Sequence, residues 1–228
     1  MKARIGAVIL LTACSSGPSK PKDAAIDVPV DAAWVQFTGE YVDWDSTDTS
    51  FCGIFNATFQ VHGEPARVDQ TNPNGRFMLN VAPDTQTRVD ITPPTANSEC
   101  LQPTSNYTMP GIAIADPAVI ATGQLLSLRD FSVARAATIE SNYGTLDPSK
   151  GHVFVHVDGN QRSVSLSLAS TVQLAWNGTT WTTGDTGVNV FFMNVPVGTT
   201  TVMMTSATGT TTVPVEAGTI TYVTLVGN

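Results

Sequence analysis

The chain has 228 residues, 42% hydrophobic and only 13% charged, and its 11 Lys and Arg against 19 Asp and Glu give a formal charge of −8. That acidic balance repels phosphate backbones and excludes nucleic acid as an expected partner. The abundance of Thr, Val, Gly, Asn and Pro over charged residues fits a mainly β protein with a polar, uncharged skin, and beyond the N-terminus no run is apolar for the roughly 18 residues that a membrane-spanning helix needs.

Lys2 and Arg4 precede an apolar run over residues 5–11, which closes on Leu11-Thr12-Ala13-Cys14. Basic residues stay on the cytoplasmic side, the short apolar stretch enters the membrane, and small residues let a peptidase reach the bond before the cysteine. The pattern resembles a bacterial lipoprotein signal with its lipobox. That resemblance implies removal of residues 1–13, an acylated Cys14 carrying palmitate-type chains, and attachment to the cell-envelope membrane through that lipid. An ordinary secretory signal with a chance cysteine is the alternative. Ser15 rather than Asp after Cys14 resembles sorting patterns that favour the outer membrane. Losing Lys2 and Arg4 takes the formal charge from −8 to −10. With Cys14 on lipid, Cys52 and Cys100 remain as an even pair in an oxidising compartment, where a disulfide is expected. Its loop of about 48 residues would constrain the unfolded chain by roughly 4 kcal/mol. Free buried thiols or a metal site compete with it, but neither cysteine has a CxxC spacing or a nearby histidine.

Residues 14–33 carry Pro18, Pro21 and Pro29 and the repeated Asp23-Ala24-Ala25 and Asp31-Ala32-Ala33, with no period to bury, and read as an extended tether. From Trp34 strands begin. Val35, Phe37 and Tyr41 alternate, as do Phe55, Ala57, Phe59 and Val61. Asn72-Pro73-Asn74-Gly75 is a turn into a strand over residues 76–81, and another over 88–92 stops at Pro93-Pro94. Between the first strands, Asp43, Asp45 and Asp48 offer hard oxygens of the kind Ca²⁺ takes, without the glycine and terminal glutamate of an EF-hand loop; a solvated turn with Asx caps is the other reading.

Residues 113–146 change character. Asp116 caps a short helix with Pro117 at its first position, and Gly123 ends it. Ser127 with Asp130 resembles a capping box opening a second helix that carries Leu128, Phe131, Ala134 and Ala137 to a stop at Gly144. The segment reads as a helical connector, since it lacks the polar cluster of a catalytic lid. Strands then resume over 153–157, 164–168, 172–176, 190–195, 201–204, 211–215 and 220–226. Phe77-Met78-Leu79-Asn80-Val81 aligns with Phe191-Phe192-Met193-Asn194-Val195, and after a proline turn Val89 and Ile91 align with Val202 and Met204. That internal repeat predicts two tandem units.

Residues 56–61, followed by the Thr71-to-Val81 stretch with Gly75 and Phe77, resemble carboxypeptidase regulatory-like, or prealbumin-like, modules. The second unit departs at Gly184-Asp185-Thr186-Gly187, but its residues 191–195 and 217–225 fit the closing strands of such modules. The resemblance implies a mainly β fold: two tandem Greek-key β-sandwiches over residues 34–112 and 147–228, joined by the helical segment 113–146. It carries no catalytic residues. Such modules serve as spacers, docking surfaces or carbohydrate-binding-like platforms.

Three histidines are present. His152 and His156 share a face of one predicted strand but lie about 13 Å apart along it, too far to hold one ion, and read as surface residues. No Gly-x-Ser-x-Gly elbow exists and the acids are scattered, so no enzyme is expected. Trp176 and Trp181 flank an Asn177-Gly178 hairpin signal. A two-residue turn there would set the rings on opposite faces, which favours core packing over a shared sugar-stacking platform. The expected role is a lipid-anchored envelope lipoprotein acting in binding, adhesion or scaffolding, with no cofactor beyond the candidate calcium; the alternative is a glycan-binding accessory module of a surface hydrolase or transport system.

Overall fold

The computed structural model describes residues 34–46, 51–94, 107, 109–123, 125–177, 180–205 and 210–226. The first half supplies β1 (Val35–Asp43), β2 (Thr58–Val61), β3 (Val68–Gln70), β4 (Arg76–Val81), β5 (Thr87–Thr92), β6 (Gly111–Ala115), α1 (Pro117–Ile120), β7 (Leu126–Asp130) and α2 (Val133–Tyr143). The second supplies β8 (Gly151–Asp158), β9 (Arg162–Leu166), β10 (Val172–Trp176), β11 (Trp181–Thr183), β12 (Thr186–Gly187), β13 (Asn189–Val195), β14 (Gly198–Met204), β15 (Thr210–Val215) and β16 (Ile220–Val226).

These strands form three sheets: β4-β1-β7, a long one ordered β11-β10-β13-β8-β16-β6-β5-β2-β3, and β12-β9-β14-β15. The long sheet has a core on each face. Phe154 of β8 and Phe191 and Met193 of β13 join Phe37, Leu79 and Leu128 of the three-stranded sheet in one core. Val153, Val155, Val190 and Phe192 join Val164, Val202 and Val213 of the four-stranded sheet in the other. Strands buried on both sides cannot alternate apolar with polar, which is why residues 190–193 read as the unbroken run Val-Phe-Phe-Met.

The architecture is β-sandwich-like, but the chain does not divide into two separate sandwiches. The long sheet takes strands from both halves, joined where β16 pairs parallel with β6 from Ile220↔Gly111 to Tyr222↔Ala113. Residues Ala32–Asn228 form one compact unit. The reason lies in β16, whose first six residues are all buried. Its backbone needs a partner on each side, and β8 and β6 supply them.

The connector also differs from the expectation. α1 forms with Asp116 capping Ala118 and Pro117 in its first turn, as expected, but spans only four residues. Residues Leu126–Asp130 are a strand and not the start of a helix: Leu126, Leu128 and Asp130 are buried, Ser127 and Arg129 half-buried. β7 pairs parallel with β1, from Gly39↔Leu126 to Asp43↔Asp130. α2 starts instead at Ser132, whose hydroxyl accepts the Arg135 N–H, and ends at Gly144. The repeat survives as burial: Phe77, Leu79, Val89 and Ile91 are all buried, and so are Phe191, Met193, Val202 and Met204. In each copy the second strand leaves the sheet of the first.

The Asn72–Gly75 turn locks β4 onto β1. Asn72 Oδ1 accepts the N–H of both Asn74 and Arg76 at 3.0 Å. Gly75 holds φ +71, where a Cβ would lie 2.2 Å from the Tyr41 carbonyl oxygen. The tight approach lets the Tyr41 N–H donate to the Gly75 carbonyl at 2.8 Å.

Candidate functional site

α2 carries Arg135, Thr138, Ile139, Asn142 and Tyr143 at intervals of three and four, which puts them on one stripe of the helix. Facing them are Leu174, Trp176 and Trp181 of the β10–β11 hairpin, with Trp44 and Asp45 from the end of β1, around a cavity of about 410 Å³. The two hairpin tryptophans therefore share one face, contrary to the expectation from sequence. Trp176 pairs directly with Trp181. The Asn177 N–H donates to the Thr180 carbonyl at 3.2 Å, and Asn177 Oδ1 accepts the Thr180 N–H at 2.9 Å. Asn177 thus flanks the turn and does not sit at its tip, so Trp181 lies opposite Trp176 and not opposite Leu174; because Leu174 and Trp176 are two residues apart and point to the same face, either register sets both rings on one face. The indole rings lie 5.6 Å apart at 53°.

Trp181 is 7% exposed and stacks on Trp44 with centroids 4.2 Å apart and planes 21° apart. Trp176 is half-buried. The Arg129 guanidinium holds the turn under Trp44 by donating to the carbonyls of Trp44 and Ser46 at 3.0 and 2.7 Å. Arg135 pairs with Asp45 at 2.6 Å. Burial raises the Asp45 carboxyl from its ordinary value, with Arg135 pulling the other way. Tyr143 ties helix to hairpin by donating its hydroxyl to the Trp181 carbonyl at 3.2 Å. Arg135 Nε and Trp181 Nε1 are buried without a hydrogen-bond partner. The lining thus combines aromatic faces, spare donors and one ion pair whose charges cancel, which suits a neutral ligand with apolar faces and polar edges.

Sequence reasoning singled out Trp176 and Trp181 and missed Trp44, Arg135 and Tyr143. Only the 3–4 spacing of the helix stripe could have pointed to Arg135 and Tyr143. Of the calcium candidates, Asp43 Oδ1 accepts the Asp45 N–H at 3.0 Å and Oδ2 the Tyr107 hydroxyl at 2.6 Å, while Asp45 holds Arg135; Asp48 lies outside the described residues. Cys52 is buried at 7% exposure, and Cys14 and Cys100 lie outside the described residues, as does the predicted tether.

The histidines on β8 are not surface residues. His152 is 1% exposed, because β8 lies inside the long sheet, and its Nδ1 accepts the Asn194 N–H at 3.2 Å. Desolvation pushes its pKa down to about 4. His156 is half-buried against Asn189 Oδ1 at 2.8 Å. Asp130 is fully buried at the end of β7, accepting the Tyr41 hydroxyl at 2.5 Å and the Phe131 N–H at 2.7 Å. Burial raises its pKa to about 7 against those two hydrogen bonds.

No protein-family model and no curated protein matches the chain. Among solved structures, a shaft pilin, spaA, from Lactobacillus rhamnosus GG is similar at TM-score 0.27 and 8% identity, over 86% of this chain and 98% of that one. The Bacillus anthracis TIE protein is similar at TM-score 0.22 and 10% identity, over 86% of this chain and 34% of that one. Likeness at that level carries no argument about role. Among the described residues no helix is long and apolar enough to cross a membrane.

Proposed function

We propose that this chain is a lipid-anchored, non-catalytic recognition module of the bacterial cell envelope, and that the groove beside α2 binds saccharide. One observation carries the reading: Trp176 and Trp181 share a face and a cavity of about 410 Å³ with polar side chains of α2. Aromatic faces take the C–H faces of sugar rings, while Thr138, Asn142 and the spare donors meet hydroxyl and carbonyl oxygens. The volume falls within the roughly 300–1,000 Å³ of small-ligand sites. Calcium is not part of this reading, since Asp45 is paired with Arg135 and Asp43 with Tyr107.

The test is a glycan and peptidoglycan binding screen on the full chain in detergent. Trp176→Ala should weaken binding by about tenfold or more, the equivalent of about 1.4 kcal/mol. Trp181→Phe, which keeps a ring against Trp44 but removes the indole N–H, should weaken it less. Binding to nothing in the screen would overturn the saccharide reading and leave docking to an envelope protein.

Anchoring rests on the lipobox-like run ending at Cys14, and Ser15 favours the outer membrane. Cys14→Ser should release the protein from membranes; unchanged partition would remove the anchor. The same compartment supports a Cys52–Cys100 disulfide. Thiol reagents should leave both cysteines unmodified without reductant, and labelling of both in the native protein would exclude the bond.

A further inference from the structure

We propose that the groove receives a chain of sugar units, not a single one, and that the chain is neutral and bears carbonyl acceptors, as linked N-acetylamino sugars do; this rests on the saccharide reading above. A second cavity of about 410 Å³ adjoins the first, lined by Ser170, Gln173, Thr183 and Gly184. Asn142 and Tyr143 line both cavities, so the two meet at the C-terminal end of α2. The hairpin continues from one to the other: Thr183 lies two residues beyond Trp181 on β11 and pairs with Leu174 of the first cavity.

Unpartnered polar atoms follow the same path. Among the described residues five buried side-chain polar atoms lack a hydrogen-bond partner, and three of them belong to residues lining these cavities: Arg135 Nε, Trp181 Nε1 and Ser170 Oγ. Trp181 itself is only 7% exposed. A buried donor without an acceptor is costly, and native structures rarely keep several together without a use. Two of the three, on Arg135 and Trp181, can only donate. Both line the first cavity and Ser170 lines the second, so a ligand that satisfies all three reaches into both cavities, and an amide carbonyl on each unit supplies the acceptors. Among the described residues Arg135 and Asp45 are the only charged side chains lining either cavity, and they neutralise each other at 2.6 Å. A polyanionic chain therefore has no counter-charge here.

The experiment is calorimetric titration of the full chain in detergent with β-1,4-linked N-acetylglucosamine oligomers of one to six units. Affinity should rise at least tenfold between one and four units. Thr183→Trp fills the second cavity from an exposed strand position and should bring the affinity for six units down to that for the shortest bound oligomer. Trp181→Phe should weaken every length. Equal affinity for one and six units, or an unaltered six-unit affinity in Thr183→Trp, overturns the continuous groove while leaving a saccharide site in the first cavity. Binding at no length overturns this proposal, and the wider screen then decides whether the saccharide reading falls with it.

Discussion

Trp44→Ala should destabilise the fold by about 3–5 kcal/mol, the range for removing a large aromatic side chain from a core, and should abolish binding in the groove. Trp44 is 2% exposed. It comes from the end of β1, yet it stacks on Trp181 and meets Phe154 and Phe191 edge-on at centroid distances of 5.8 and 5.0 Å, with Phe131 at 5.5 Å. Three of those four partners lie from β8 onward. Removing the ring opens a void under Trp181, whose backbone carbonyl anchors Tyr143, so the hairpin loses its bearing on α2. Trp44→Phe, which refills most of the void, should recover much of the stability. Urea denaturation followed by far-UV circular dichroism measures both. Because one sheet and one core span the halves, the parent should unfold in a single transition. A loss below about 1 kcal/mol for Trp44→Ala would show that the halves hold together without this contact, and two separate transitions in the parent would show that they unfold independently.

Strands whose pattern is local were legible in the sequence. Residues 76–81, 172–176 and 220–226 were read with the bounds at which they occur, because alternation or a β-branched run between turn residues suffices to mark them. β7 was not. Ser127 and Asp130 stand at capping-box spacing, and the strand offers only Leu126 and Leu128 as apolar alternation, its third buried position being the carboxylate of Asp130. What makes it a strand is pairing with β1, more than eighty residues earlier. A short window cannot see such a partner. The single body was hidden for the same reason: two-sided burial of β8, β13 and β16 showed as apolar runs, but such runs fit two small cores as well as one shared sheet.

The site was half legible. Two tryptophans around a turn signal drew attention by themselves, but whether they pair directly depends on where the turn begins. Asn-Gly is the stronger turn pair by propensity, yet Asn177 serves better beside the tip, where its side chain caps the Thr180 N–H. The other wall escaped because Ile139 is the only fully buried residue on α2. A helix stripe of Arg, Thr, Asn and Tyr reads as a solvated face until a hairpin is found across from it.

The stability of the fold should be nearly flat between about pH 4 and 6.5 where two buried groups are concerned, and single substitutions should tilt it in opposite directions. Asp130 has its pKa raised from 3.8 to about 7, chiefly by burial. The folded state thus holds a proton that the unfolded state releases, so this group's contribution is greatest below pH 3.8 and is lost as pH rises toward 7. His152 has its pKa lowered from 6.5 to about 4 by burial. Here the unfolded state takes the proton first, so the contribution is full above pH 6.5 and is lost as pH falls toward 4. Each slope is about 1.4 kcal/mol per pH unit, and over the shared window they cancel. Asp130→Asn keeps a hydrogen-bonding amide beside Tyr41 and removes the first slope. The variant should lose about 3 kcal/mol relative to its own value at pH 6.5 as pH falls to 4. His152→Gln retains an acceptor for the Asn194 N–H and removes the second, so that variant should lose about 4 kcal/mol as pH rises from 4 to 7. Both substitutions shift stability by an offset that does not depend on pH, and other titrating groups cancel when each variant is compared with the parent across the same series of urea melts. A parallel profile for Asp130→Asn and the parent would mean that Asp130 is ionised in the folded protein throughout, with the Tyr41 hydroxyl and the Phe131 N–H sufficient to hold a buried carboxylate.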